Sequence, residues 1–323
     1  MIGAKPMKNA NLAKSIASAL LVMVGLTAAR AETFGTGANQ FTLDFTTIGN
    51  PGNSADTTGY VSVGYAYRIS TYEISQNQIN AATASGLQNV TAGAWSGDLP
   101  AGNMSWYEAA AFVNWLNTST GFARAYNLSR TGGAWNMALW TAADNGYDAN
   151  NLYRNAQAKY FLPSENEFYK AAFGKSDGSG YYQYPTGGDS APTAVTSGTA
   201  LGTAVYNQGW IPPGPASIYQ AGGRSSYGTR AQGGNIQEWQ ESAADGTNDN
   251  VGDNRMVRGG YWYVAGDALD SSTRSSYGPS TDIVNLGFRV TSVVAVPEPS
   301  TCASLLAGLA CGGYSVFRRR KRA

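Results

Sequence analysis

Histidine is absent from this sequence, and its two cysteines, Cys302 and Cys311, lie close to the C-terminus. The interior from 32 to 297 therefore has no thiol nucleophile, no imidazole base and no soft metal ligand. Those are the groups that most enzymes use near neutral pH. The interior also has no cysteine for a disulfide, so packing must stabilise it, and a domain of about 265 residues is long enough to bury a sizeable core.

Positive charge is also scarce in the interior. The segment 32–297 has 13 Lys plus Arg against 20 Asp plus Glu, which gives a formal net charge of −7. Proteins that bind nucleic acid present a basic surface to the phosphates, so nucleic acid is not expected as a partner. An acidic interior that is rich in glycine, tyrosine and tryptophan and has no free thiol suits an extracellular setting.

The first 31 residues follow the order of a secretory signal peptide. Three lysines precede the apolar run 16–26, and small residues at 29–31 offer a cleavage site before Glu32. A buried N-terminal helix is the alternative reading. The order of charge, apolar core and small residues favours export across the inner membrane.

The C-terminal segment, 295–323, combines Pro-Glu-Pro at 297–299, an apolar stretch over 302–317 and five consecutive cations at 318–322. A helix of 16 residues spans about 24 Å, so it can only just cross a bilayer core of about 30 Å. This order resembles the PEP-CTERM sorting signal. The resemblance implies a short transmembrane helix over 302–317 that anchors the chain transiently, a cytoplasmic basic tail, removal by an exosortase and delivery to the cell surface or the extracellular space. An ordinary tail anchor is the alternative.

Local patterns in the interior predict short elements between loops. Alternating apolar and polar residues predict strands within 41–48 and 60–74, and the Gly-, Ser- and Pro-rich stretch 174–234 predicts long ordered loops. Helices are expected to begin after three serines, two of them in capping boxes: Ser75, Ser105 with Glu108, and Ser164 with Glu167. Further strands are predicted in the last third, around 236–239, 255–263 and 286–294.

Six segments, in this order, resemble one known family. They are 67–74 (YRISTYEI), 103–109 (NMSWYEA), 161–168 (FLPSENEF), 233–239 (GGNIQEW), 257–262 (VRGGYW) and 286–290 (LGFRV). Together they resemble the formylglycine-generating enzyme, or sulfatase-modifying factor, domain. The resemblance implies an α+β fold, a variant of the C-type lectin-like fold that is rich in loops, with small antiparallel sheets and few short helices. The implied organisation is a signal peptide (1–31), an N-terminal extension (32–59), the sulfatase-modifying-factor-like domain (60–294) and the sorting signal (295–323).

The resemblance predicts the family's fold for this chain but does not predict the family's activity. The family's oxidase activity resembles copper-assisted oxygen chemistry at two cysteines between the RGG and GFR motifs, and here that interval, 261–285, contains no cysteine. Neither Ser271 nor Asp267 can replace a thiolate as a Cu(I) ligand and redox partner. A related branch uses histidine-bound iron, which this sequence cannot supply. No copper or haem is therefore expected, and we predict a non-catalytic binding or matrix protein; an enzyme with unrecognised active groups is the alternative.

The family's calcium site implies a second group of candidates. Calcium prefers oxygen ligands, and the matching residues are Asn235, the carbonyl of Ile236 and the carboxylate of Glu238. The alternative is a structural turn in which Glu238 pairs with an arginine such as Arg258 and Trp239 belongs to the core. The sequence leaves both readings open.

Arginines and exposed aromatic residues are the remaining candidates for ligand binding. Arg258, Arg274 and Arg289 could hold an anionic group, although such arginines more often pair with acids inside loop-rich folds. Trp210 and Tyr263 are predicted at the surface, since glycine, proline or polar residues flank them. The predicted ligand is a polysaccharide or a surface protein.

Overall fold

The computed structural model describes residues 30–57, 59–60, 62–91 and 93–294. Each of the three α-helices in this part of the chain begins after a serine that forms a capping box with the residue three positions later. The helices are α1 (Gln76–Ala84), α2 (Trp106–Ser119) and α3 (Glu165–Phe173). In α2 the Ser105 hydroxyl accepts from the Glu108 amide (3.3 Å), and the Glu108 carboxylate accepts from the Ser105 amide (3.0 Å). The three predicted helix starts are confirmed.

The strands are short and belong to four small sheets. They are β1 (Arg30–Phe34), β2 (Phe41–Ile48), β3 (Tyr67–Ser70), β4 (Asn127–Thr131), β5 (Ala134–Ala138), β6 (Tyr160–Phe161), β7 (Thr193–Ala194), β8 (Thr203–Ala204), β9 (Gln237–Ala243), β10 (Arg255–Arg258), β11 (Ser275–Tyr277), β12 (Leu286–Phe288) and β13 (Thr291–Val293). A five-stranded sheet has the order β1-β2-β3-β13-β6, and a four-stranded sheet has the order β11-β10-β9-β12. Most neighbours are antiparallel; β12 with β9 and β7 with β8 are parallel. The α+β, loop-rich fold class predicted from the sequence is confirmed.

Two predicted strands are shorter in the structure. Within 60–74 only Tyr67–Ser70 pairs as a strand. The strand predicted over 255–263 ends at Arg258, because Gly259 and Gly260 have φ angles of 97° and 65°. Those angles lie in the left-handed region, which turns the chain away from the sheet.

The main core packs α2 against the four-stranded sheet. Trp106, Trp239 and Phe288 are fully buried there. The two indoles also tie neighbouring segments together: Trp106 Nε1 donates to the carbonyl of Gln240 (2.9 Å), and Trp239 Nε1 donates to the carbonyl of Met104 (2.6 Å). The 233–239 motif is therefore fixed from both sides.

The transmembrane helix predicted from the sequence needs correction. Among the residues that the structure describes, none of the helices combines the length and apolar character needed to cross a bilayer. The stretch predicted to do so, 302–317, lies outside those residues. So does most of the predicted signal peptide, whose last two residues, Arg30 and Ala31, belong to β1.

Candidate functional site

The residues predicted to bind calcium lie just before β9, at Asn235 and Ile236, and within it, at Glu238. Asn235 has a positive φ of 59°, which turns the chain after Gly234. Its amide oxygen accepts from the Ala216 amide (2.7 Å), and its Nδ2 donates to Glu73 Oε2 (2.6 Å). The other carboxylate oxygen of Glu73 accepts from the Ile236 amide (3.2 Å). Asn235 thus joins three segments of the chain through protein hydrogen bonds.

Glu238 forms a fully buried, bidentate pair with Arg289. The distances are 2.5 Å from Arg289 Nε to Glu238 Oε2 and 2.6 Å from Nη2 to Oε1. The remaining guanidinium donors reach the carbonyls of Ser70 (3.0 Å) and Arg230 (2.8 Å). Burial raises the pKa of Glu238, and Arg289 opposes that rise. Burial, followed by the charge of Glu238, raises the pKa of Glu73 well above its usual range.

These residues do not fit a calcium ion. Calcium takes six to eight oxygen ligands, as a rule. The side-chain oxygens of Asn235 and Glu238 already accept from protein donors, and the guanidinium of Arg289 occupies the cation's place beside Glu238. No group of three acidic side chains suited to a metal occurs in the part of the chain described. Calcium binding at these residues remains a prediction. The observed geometry is that of a structural turn, with Arg289 in place of Arg258 as the partner of Glu238.

Arg258 and Arg274 both pair with Glu165, at the start of α3. Arg258 Nε lies 2.8 Å from Glu165 Oε1, and Arg274 Nη2 lies 2.7 Å from Oε2. Arg258 also donates to the carbonyls of Ser271 and Thr273 (2.9 and 3.0 Å). Burial, with a contribution from Arg274, lowers the pKa of Arg258 to about 9. The two arginines hold the 271–274 loop against α3.

The interval 261–285, where the resemblance would require thiols, is held by a few buried side chains, and most of its other residues are exposed or half-buried. Trp262 and Leu269 are buried in it. One cavity at the interval measures about 50 Å³ and is lined by Gln237, Val264 and Arg274, among others. That volume is far below the ~300–1,000 Å³ typical of sites for small ligands. A larger cavity, of about 520 Å³, is lined by Ser271 of the interval. The interval has no thiol for the family's reaction.

An exposed aromatic patch includes the start of this interval, and we define it as Trp210, Ile211, Tyr261 and Tyr263. The rings of Trp210 and Tyr263 are 5.3 Å apart although the residues are distant in sequence. Their exposed fractions are 44% and 52%, and that of Ile211 is 54%. Buried Trp262 supports the patch from below, since its Nε1 donates to the carbonyl of Trp210 (2.8 Å). The structure therefore brings together the two aromatic residues predicted at the surface.

Sequence reasoning missed a second surface feature, the tyrosine cleft. Its volume is about 520 Å³, and we define it by Tyr169, Tyr181, Tyr182 and Tyr227 with the facing loop 53–57. Glycine and polar residues surround these tyrosines, so the sequence predicts ordered loops there and gives no sign that the loops face each other. The pair Tyr181-Tyr182 was the one local signal.

Hydrogen bonds fix the walls of the tyrosine cleft. The hydroxyl of Tyr169 donates to Asp56, and that of Tyr181 donates to the carbonyl of Ser54 (3.0 Å). The ammonium of Lys170 donates to the carbonyl of Asn50 (2.7 Å), and burial lowers the pKa of Lys170 to about 8. The 53–57 loop is thereby attached to α3 and to the loop that follows it.

The comparisons with known proteins agree with this architecture. The family described as Sulfatase-modifying factor enzyme 1-like domain matches residues 17–294. The chain belongs to this family. The comparison with curated proteins gave no match.

Solved structures also resemble the chain. Treponema denticola variable protein 1 has a TM-score of 0.55 at 19% identity, with 83% of this chain and 100% of that one covered. CarF has a TM-score of 0.55 at 19% identity, with coverages of 78% and 99%. PvdO from Pseudomonas aeruginosa has a TM-score of 0.51 at 14% identity, with coverages of 83% and 100%. At these identities the likeness establishes a shared fold and no shared activity.

Proposed function

We propose that this chain is an exported, non-catalytic binding protein of the cell surface or extracellular matrix, built on the sulfatase-modifying factor scaffold. The observation that carries the proposal is the interval 261–285. It has no thiol, Trp262 and Leu269 within it are buried, and two of its residues, Tyr261 and Tyr263, belong to the exposed aromatic patch. The protein retains the scaffold and presents a surface in place of a reaction centre.

The geometry of the patch favours a surface protein as the ligand. The planes of Trp210 and Tyr263 meet at 82°, and those of Trp210 and Tyr261 also meet at 82°. Rings at right angles do not form the flat platform on which a polysaccharide lies. They form a corner that can receive an apolar side chain, and exposed Trp, Tyr and Ile in one patch are typical of protein interfaces.

Export and sorting are the second part of the proposal. The lysines, apolar run and small residues of 1–31 support secretion, and the acidic composition of 32–297 suits an extracellular setting. The order of Pro-Glu-Pro, apolar stretch and basic cluster in 295–323 supports recognition by an exosortase. Comparing the mass of the secreted protein with that of a Glu298→Ala variant tests this part: we expect loss of C-terminal processing in the variant, and equal processing contradicts the sorting signal.

Binding through the patch is tested with surface-protein extract from cells of the producing species. The full-length protein and its Trp210→Ala/Tyr263→Ala variant are cross-linked to the extract, and the partners are identified by mass spectrometry. We expect at least one partner that the variant loses and that a Tyr147→Ala control keeps, because Tyr147 is exposed but lies outside the patch. A partner set that is the same for all three proteins contradicts the role of the patch.

A further inference from the structure

The tyrosine cleft is a surface feature with aromatic walls that the proposed function does not use. Its volume of about 520 Å³ lies within the ~300–1,000 Å³ of sites that bind small ligands. It shares no lining residue with the aromatic patch. Whatever occupies the cleft can bind independently of a partner on the patch.

The lining alternates aromatic faces with hydrogen-bonding groups. Half-buried Tyr181 and Tyr182 contribute rings, and Asp189, Ser271 and Lys175 contribute polar groups at the same opening. The Lys175 ammonium lies 4.8 Å from the centroid of the Tyr182 ring, which it keeps in place. A sugar ring offers the complementary pattern, with C–H faces that stack on aromatic rings and hydroxyls that both donate and accept.

Charge argues for an uncharged ligand. The two lysines of the cleft, Lys170 and Lys175, are matched by Asp56 and Asp189. Lys170 is committed to the carbonyl of Asn50, so its ammonium does not point at a ligand. The segment 32–297 carries a formal charge of −7, which disfavours the approach of an acidic polymer.

The cleft is preorganised, and a second cleft lies next to it. The Tyr169 ring stacks on Tyr60 at 4.1 Å, and its hydroxyl is bonded to Asp56, so the floor keeps its shape without a ligand. A neighbouring cleft of about 590 Å³, lined by Thr46, Arg224 and others, shares Tyr227 with the first.

From these observations we infer that the tyrosine cleft binds a neutral oligosaccharide, with sugar rings stacked on Tyr182 and its neighbours and hydroxyls bonded to the surrounding polar groups. The site is distinct from the protein-binding patch and does not depend on it.

Isothermal titration of the full-length protein tests this inference. The probes are cellotetraose, xylotetraose, mannotetraose and chitotetraose, with tetragalacturonic acid as the acidic comparison. We expect at least one neutral tetrasaccharide to bind, and to bind more tightly than its disaccharide. Tyr182→Ala should weaken that binding by about tenfold, the upper end of what one aromatic contact contributes. Tyr182→Phe keeps the ring and should bind like the natural protein.

Matched variants separate the cleft from the rest of the surface. Tyr147→Ala removes an exposed tyrosine outside both the cleft and the patch and should leave the affinity within about twofold. If Tyr182→Ala does not fold, Lys175→Ala replaces it, since that half-buried side chain supports the Tyr182 ring. The inference is overturned if no neutral tetrasaccharide binds at millimolar concentration, if only tetragalacturonic acid binds, or if neither cleft variant weakens binding.

Discussion

The Glu238–Arg289 pair and the aromatic patch reverse the usual distribution of side chains. The acid and the arginine are fully buried, whereas Trp210 and Tyr263 are about half exposed. Buried charges stay in place because each finds a partner: the pair is bidentate, and the other guanidinium donors reach backbone carbonyls. Exposed aromatic residues have no such internal reason for their position, so they are the better indicators of function.

The family's motifs and the protein surface show the same contrast between buried charged residues and exposed aromatic residues. The segments 233–239, 257–262 and 286–290 contribute Glu238, Arg258 and Arg289, all of them inside the protein. Their recurrence explains why the fold can be recognised. The cleft and the patch consist mainly of residues outside those motifs, and Tyr261 is the patch residue that belongs to one of them.

The largest expected effect comes from breaking the buried pair. Arg289→Leu leaves Glu238 buried without a partner, so the free energy of unfolding should fall by about 3–5 kcal/mol. Urea denaturation measures this fall in the free energy of unfolding. Arg274→Leu is the matched control, because the Arg274 side chain is 43% exposed and its pair with Glu165 should contribute about 1 kcal/mol or less. Equal losses in the two variants would contradict the distinction between buried and surface pairs.

A smaller effect is expected at the start of α3, the helix that carries Glu165 and contributes to the tyrosine cleft. Glu165 in its first turn binds the arginines, and Tyr169 and Lys170 face the cleft. Ser164→Ala removes the capping hydroxyl that accepts from the Glu167 amide, so the free energy of unfolding should fall by about 1 kcal/mol. Ser179→Ala, in an exposed loop, should change it by less than about 0.5 kcal/mol.

Lys170, beside the cleft, should make the stability of the folded protein depend on pH. Its folded-state pKa is about 8 against an ordinary value of 10.5, so between these values the unfolded chain binds more protons than the folded one. Stability should therefore increase as the pH rises from about 8 towards 10. Lys170→Met should remove that increase, which urea denaturation at several pH values measures. An identical pH profile in the variant would show that the ammonium is not buried.

The smallest expected effect is that of calcium. The oxygens of Asn235 and Glu238 accept from protein donors, so no binding energy is available to raise the melting temperature. Adding millimolar calcium, or removing it with EGTA, should shift Tm by less than about 1 °C. A calcium-dependent rise of several degrees would restore the predicted site.

The sequence predicts the scaffold better than the surface. Ser105 with Glu108 and Ser164 with Glu167 are local signals, since a capping box needs residues only three positions apart, and both are confirmed. The partner of Glu238 could not be identified in this way, because the choice between Arg258 and Arg289 depends on how β9, β10 and β12 lie side by side. The cleft was missed for the same reason: its two walls are more than a hundred residues apart.

The central claim is that this scaffold has exchanged its family's thiol chemistry for recognition. The most direct test is to incubate the full-length protein with a cysteine-containing sulfatase peptide, Cu(I) and oxygen, and to follow the peptide by mass spectrometry. A thiol-containing relative serves as the positive control. We predict that the peptide cysteine stays unchanged with this protein, because 261–285 offers no thiolate to hold copper. Conversion of that cysteine to formylglycine would contradict the account.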